Sequence, residues 1–330
     1  MDFFNLLMSR VEHGTQRIVF PEGEDVRVVQ AAETIVKAGI AKPILLGKPE
    51  AIGETARSEG VDLAGVEVLD PAASEKLEAY VELLCAKRSL PEVAAKVMIK
   101  KPLYYAVMML EAGDAAGMVS GCVMETSEVT AAMNLICGLE EGISTPSLFY
   151  VMDIPGYTSE EGSLLIMTDP AYTIDPTSEQ LADIAQNAAA GARELLGWEP
   201  RVAMLSFSTK GSAEHAFIAK VTDAVEILHR RDPQLLVDGE FQLDAAINPV
   251  VAAQKLHGAS EVAGRANVLV FPGIEAANIG VKIMQQLAGA TGYTFWKGFA
   301  KPMCDISRSS VPGDIVTACL GVALQAQTRT

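Results

Sequence analysis

RIVFPEGEDVRVVQAAETIVKAGIAKPILL, residues 17–46, reads as strand, turn, helix and strand. Arg17–Phe20 is a short β-branched and aromatic run that predicts a strand. Pro21–Asp25 mixes proline, glycine and acids, which is turn chemistry. From Val26 to Lys37 apolar residues return at Val26, Val29, Ala32 and Val36, a helical period, and Gly39 supplies the stop. Pro43–Leu46 predicts a second strand and closes one βαβ unit. That unit places the chain in the α/β class with a mostly parallel sheet.

The alternation continues outward from this stretch. Further strands are predicted at Val66–Leu69, Gly117–Ser120, Ser147–Met152, Ser163–Met167, Val202–Ser208, Leu235–Val237 and Asn267–Phe271. A helix over Ser178–Leu196 opens on Thr177 or Ser178 as cap, with Glu179 in its first turn, and stops at Gly197. A second, Glu214–His229, carries Phe217, Val221, Val225 and Leu228 at helical spacing, which reads as core. Gly142–Pro146 and Asp153–Gly162 are loops that could mark a domain change. The longer one reads as a projecting hairpin or flap. A return crossing near Trp296–Lys301 makes the first domain discontinuous. The expected division is 1–146 plus 300–330 for one α/β domain and 147–299 for the other.

With 330 residues, 49% hydrophobic and 21% charged, the chain can bury a large core. A formal net charge of −16 argues against nucleic acid and anionic membrane as partners. The longest apolar run, Ile315–Leu324, is too short to span a bilayer. No basic segment leads into an apolar one at the start, so no secretory signal is expected and the location read is cytoplasmic. The five cysteines are odd in number without CxxC spacing, and the four histidines are scattered. They read as reduced thiols, with no disulfide frame and no metal site.

Three strand–loop–helix junctions carry candidate chemistry. In SFSTKGSA, 206–213, Ser208, Thr209, Lys210, Gly211 and Ser212 suit a phosphate. The order Lys-Gly and the missing upstream glycine rule out a Walker A loop. A plain turn with an exposed lysine fits the same residues. DGEFQLDAA, 238–246, holds three carboxylates, compatible with a divalent ion or with turns and caps. FPGIEAANIG, 271–280, with Asn278 and Gly280, suits close backbone approach to a ligand or a neighbouring helix. A fourth segment, AKPMCDISRSSVPGDI at 300–315, sets Ser307, Arg308 and Asp314 around a helix start. Ser310 reads as its cap and Pro312 as its first turn. Arg308 beside a helix N-terminus favours an anion, and Asp314 could act as a base upon it. A capped helix whose aspartate complements the dipole is the alternative.

RIVFPEGED at 17–25, SFSTKGSA, DGEFQLDAA, NVLVFPGIEAANIG at 267–280 and KPMCDISR at 301–308 occur in this order. Together they closely resemble the phosphate acetyl/butyryltransferase family, the phosphotransacetylases. The resemblance covers nearly the whole chain and is strongest from about Ser178 to Asp314. It implies two α/β/α sandwich domains with a cleft between them, of the isocitrate- and isopropylmalate-dehydrogenase type. It also implies a homodimer and reversible acetyl transfer between acetyl-CoA and phosphate, without a metal or redox cofactor. By that resemblance Ser307, Arg308 and Asp314 are the catalytic set. The strand end Ala116–Gly121, with Ser120, and the following Thr126 join the substrate-binding residues.

The match departs at two positions. The Arg-Pro pair of close family members aligns here with Ala131 and Ala132, and a second arginine falls at Asp153. Two positive charges are lost from the family pattern. Lys210, Lys282 or Lys297 could replace them, the acyl group could be propionyl or butyryl, or the chain could bind CoA without turnover. A dehydrogenase of similar fold finds no Gly-x-Gly-x-x-Gly to support it.

Overall fold

In a computed structural model of the chain, which describes residues 3–256 and 258–329, the polypeptide forms two compact α/β units. The first comprises Met1–Glu141 with Phe299–Thr330, the second Gly142–Gly298. In chain order the first unit opens with α1 (Phe3–Met8), β1 (Arg17–Phe20), α2 (Val26–Lys37), β2 (Lys42–Leu46), α3 (Pro49–Glu59) and β3 (Glu67–Leu69). It continues through α4 (Leu77–Arg88), α5 (Glu92–Ile99), α6 (Pro102–Ala112), β4 (Gly117–Ser120) and α7 (Thr126–Ile136). The second unit holds β5 (Ser147–Asp153), β6 (Leu164–Thr168), α8 (Ser178–Gly191), β7 (Arg201–Leu205), α9 (Ala216–Arg231) and β8 (Leu236–Phe241). It ends with α10 (Leu243–Ile247), α11 (Pro249–Lys255), β9 (Val268–Val270), α12 (Ile274–Leu287) and β10 (Thr291–Lys297). The chain then re-enters the first unit as β11 (Met303–Asp305) and α13 (Pro312–Gln327).

The sheet of the first unit runs β11-β4-β1-β2-β3 and is parallel throughout. Such a sheet is covered on both faces, which is why Ile18, Val19 and Phe20 are all buried and β1 shows no polar alternation. α13 packs on α2 and on β4, β1 and β11. Its run Ile315–Ala326 is buried at every position, so the apolar stretch seen in the sequence is a central core helix. Burying a Leu or Ile of this kind stabilises by about 1.5–3 kcal/mol. α2 begins at Asp25, whose side chain accepts from the Arg27 N–H, and buries Val28, Val29, Ala31, Ala32 and Ile35. Val26, predicted inward, stays largely exposed at the first turn.

The second sheet runs β10-β5-β6-β9-β7-β8, parallel except that β5 pairs antiparallel with β6 and β10. α8 packs on the strands and is closed by a capping box between Thr177 and Gln180. A widened turn, Ala192–Leu196, carries it on to Gly197. One sequence expectation needs correction here. Phe217 is exposed; it sits in the first turn of α9, edge-on to His215, while Val221, Val225 and Leu228 form the buried face. The 153–162 loop, read as a projecting hairpin or flap, is the hairpin that joins the antiparallel strands β5 and β6, and it is tied down. Arg201 pairs with Glu160 and Glu161, Asn267 donates to Glu161, and Ile154 and Tyr157 join the core beneath. Among the described residues, no helix is long and apolar enough to cross a membrane.

Candidate active site

Parallel strands deliver their carboxyl ends to one edge, where the connecting loops converge and α/β proteins hold ligands. In the first unit three loops meet there: 21–25 after β1, 121–125 after β4 and 306–311 after β11. The register sets Asp305 opposite Ser120, and the Ile306 N–H donates to the Ser120 carbonyl at 2.8 Å. Gly121 follows at φ +108°, and a Cβ on it would lie 2.3 Å from the Ile306 carbonyl oxygen. Only glycine fits between the two strand ends.

Ser307, Arg308 and Ser309 are exposed on the last of these loops. The Ser307 hydroxyl lies 2.8 Å from that of Ser309. Among the described residues the Arg308 guanidinium has no carboxylate partner. Asp314, in the first turn of α13, accepts the Val311 N–H at 2.9 Å through Oδ2, and among the described residues its Oδ1 has no hydrogen-bond partner. Val311 therefore occupies the cap position predicted for Ser310, which lies one residue earlier and is nearly buried. The third residue of the helix reaches back to the cap N–H, so no hydroxyl is needed at the cap itself.

Two side chains that sequence reasoning passed over hold these loops. Glu22 is buried and accepts four consecutive backbone N–H groups, of Gly121, Cys122, Val123 and Met124, at 2.7–2.9 Å. The nest ahead of α7 is thus filled by the chain's own carboxylate. Arg27 spans from Asp25 to the 122 and 308–310 segments. The signal was present as acids and an arginine just past a strand end, but the loops they hold lie far away in sequence. Cys122, beside Glu22, is no nucleophile: burial, reinforced by the Glu22 and Asp25 charges, pushes its thiol up to about 12.

Thr126 opens α7 and donates to Asp305 Oδ2, which brings Ser120, Thr126 and the Ser307 loop into one cluster. Asp305 is 4% exposed, and among the described residues its Oδ1 has no hydrogen-bond partner. Burial pushes this carboxyl up to about 6; the Thr126 hydroxyl opposes the shift and the Glu22 charge adds to it. Below the ordinary 3.8 both states are protonated, and above about 6 both are ionised. Between those values the folded state holds the extra proton, so stability falls as pH rises through the window. Asp305→Asn removes that titration. In urea melts the variant should gain on the wild type by about 1–3 kcal/mol between about pH 4 and about pH 6.5. A stability difference that does not change with pH contradicts this.

The candidate residues of the second unit are engaged by the fold itself. Ser208 and Thr209 are buried; the Ser208 hydroxyl and the Gly211 N–H both donate to Glu240 Oε1 at 2.8 Å. Ser212 bonds Ser208, and Thr209 Oγ1 accepts the Gln242 N–H. Lys210 pairs with Asp238 and donates to the Gly239 carbonyl. The carboxylates of 238–246 therefore resolve into pairs and caps, with Asp244 held by Lys255. Asn278 donates to the Pro170 carbonyl, and Gly280 packs against Phe271. Lys297, the other offered cation, is buried against Glu194, while Lys282 is exposed on α12 and donates to Gln285. Lys210 and Lys297 thus do not supply free charge. Ala131 is exposed on α7, and Asp153 closes β5 opposite Leu164 and Thr291.

A family model for phosphate acetyl/butaryl transferase matches residues 2–323. The chain is 42% identical to the phosphate acetyltransferase of Clostridium acetobutylicum, over 99% of both chains. It is 39% identical to that of Thermoanaerobacterium thermosaccharolyticum, over 99% of this chain and 100% of the other. A solved phosphotransacetylase structure from Streptococcus pyogenes matches with a TM-score of 0.91 at 35% identity, covering 99% of this chain and 98% of that one.

Proposed function

The chain belongs to the phosphate acetyl/butaryl transferase family, and from that premise we propose that Ser307, Arg308 and Asp314 carry a reversible acetyl transfer between CoA and phosphate. The enzyme is an acyltransferase. The observation that carries the site is the 307–314 segment, which presents together an exposed hydroxyl, a guanidinium unpaired among the described residues and a first-turn carboxylate.

The chemistry follows from these groups. A thiol with its ordinary pKa near 8.5 is mostly protonated at neutral pH. Asp314 takes the thiol proton as the CoA sulfur attacks the carbonyl carbon of acetyl phosphate. The S–C bond forms, charge develops on the carbonyl oxygen, and the bond between the carbonyl carbon and the bridging oxygen breaks, so that oxygen leaves with phosphate and acetyl-CoA remains. Arg308 stabilises the phosphate and the developing oxyanion, and Ser307 orients the thiol. Ser120 and Thr126 lie beside this loop in the first unit; Ser208–Ser212, Asn278 and Gly280 are the second unit's substrate-binding residues in this reading. The reaction joins two bound substrates directly and needs no metal or redox cofactor. It belongs in the cytoplasm, where the five free cysteines stay reduced. An assay with CoA and acetyl, propionyl and butyryl phosphate tests the assignment: acetyl phosphate should be turned over with the highest kcat/KM, and no thioester from any of the three would defeat it.

The assembly belongs to the same proposal. α12 buries Ala277 and Val281 but presents Ile279, Ile283 and Leu287 to solvent at i, i+4 and i+8. An apolar stripe of this spacing suits the same helix of a second copy. α8, by contrast, is largely buried within its own unit. Light scattering at micromolar concentration should give twice the 35.0 kDa of one chain, and Ile283→Glu should return it to one. A wild-type mass of one chain rejects the dimer.

A further inference from the structure

We propose that Arg27 is a positioning residue for the transfer, a guanidinium that holds the backbone carrying Ser307 and Arg308 and does not itself touch substrate. The inference rests on the functional reading of Ser307 and Arg308 above.

Its hydrogen bonds account for all five N–H groups. Nε donates to Asp25 Oδ1 at 2.9 Å, and Nη2 donates to Asp25 Oδ2 at 2.8 Å. The other Nη2 hydrogen reaches the Cys122 carbonyl at 2.8 Å. Nη1 takes the Arg308 carbonyl at 2.7 Å and the Ser310 carbonyl at 3.2 Å. The charge is answered by Asp25 through a two-pronged contact, and no donor is left over for an anion. What remains is geometric. One planar fork fixes the carbonyls on either side of Ser309 and ties them to the loop after β4, which Glu22 grips from the other side.

This explains how an exposed loop can hold reacting groups in register. The loop contributes few apolar contacts of its own, because Ser307, Arg308 and Ser309 all face solvent. Its backbone is instead pinned through two carbonyls, which leaves the Ser307 and Arg308 side chains free to project. A lysine cannot reproduce the arrangement, since an ammonium is a point charge without the planar fork. Loss of the fork should therefore cost turnover more than binding: misplacement of reacting groups by about an ångström costs on the order of 10²-fold.

The test uses the full chain with Arg27→Lys and Arg27→Ala. The expected result for Arg27→Lys is a kcat lowered by about 10–10²-fold, with KM for CoA and acetyl phosphate within about threefold of wild type. Hydrogen exchange followed by mass spectrometry should quicken in peptides covering 121–125 and 306–311 and nowhere else. Millimolar methylguanidinium should restore part of the Arg27→Ala turnover; if that variant fails to fold, Arg27→Lys decides. A wild-type kcat with unchanged exchange in 306–311 overturns the proposal. So does a raised KM with unchanged kcat, which would make Arg27 a substrate contact, or exchange raised throughout the unit, which would make it only structural. If the wild type itself forms no acetyl-CoA, the functional reading fails, and the exchange measurement still shows separately whether Arg27 holds the loop.

Discussion

Asp314→Asn should lower kcat for acetyl-CoA formation by roughly 10²–10⁴-fold, the ordinary weight of a positioned general base. The substitution separates the two roles open to this residue. Asp314 caps α13 by accepting the Val311 N–H, and an asparagine carbonyl can accept the same bond. The helix start and the unfolding midpoint should therefore change little, while proton removal is lost. The defect should shrink as pH rises, because more of the CoA is then already thiolate. A variant with wild-type turnover would reduce Asp314 to a cap.

Arg308→Ala should cost on the order of 10²–10³-fold in kcat/KM, as removal of one charged donor to a developing oxyanion does. The effect is large here because its guanidinium is unpaired among the described residues, whereas Lys210 and Lys297 are already held by Asp238 and Glu194. Among the described residues the side chain of Arg308 has no hydrogen-bond or ion-pair partner, while its backbone carbonyl is held by Arg27. Truncating the side chain leaves that brace in place, so the loss reports chemistry and not folding. Arg308→Lys should recover part of kcat, since a charge returns without the two-pronged geometry. A kcat/KM within a few-fold of wild type in Arg308→Ala would place the anion elsewhere.

Local patterns carried the fold a long way. β1, β4 and α2 lie at the predicted residues, because a buried parallel strand is a continuous apolar run and a capped helix advertises both ends. β11 escaped notice because Met303–Asp305 is three residues long and becomes a strand only by pairing with β4. β10 lies at an antiparallel edge, with Thr291, Gly292, Tyr293 and Thr294 only partly covered or exposed, so no buried run marks it. The site was legible as residue types and much less as partnerships. Ser307, Arg308 and Asp314 sit within eight positions of one another and declare themselves as a set. Glu22 meets its donors about 100 residues away, and Arg27 reaches Arg308 across 281. Such pairings leave no local period or spacing. The same holds for SFSTKGSA: nothing in that string shows that its lysine and Ser208 are paired with Asp238 and Glu240, which lie about 30 residues away.

The central claim is direct attack by the CoA thiol on an acyl phosphate held at the 307–314 segment, and initial rates of acetyl-CoA formation over a matrix of CoA and acetyl phosphate concentrations test it most directly. Double-reciprocal plots that intersect, with turnover lowered by both Arg308→Ala and Asp314→Asn, are the predicted result. Parallel lines, which signal an acyl-enzyme formed before CoA enters, or the absence of any turnover by the wild type, would contradict it.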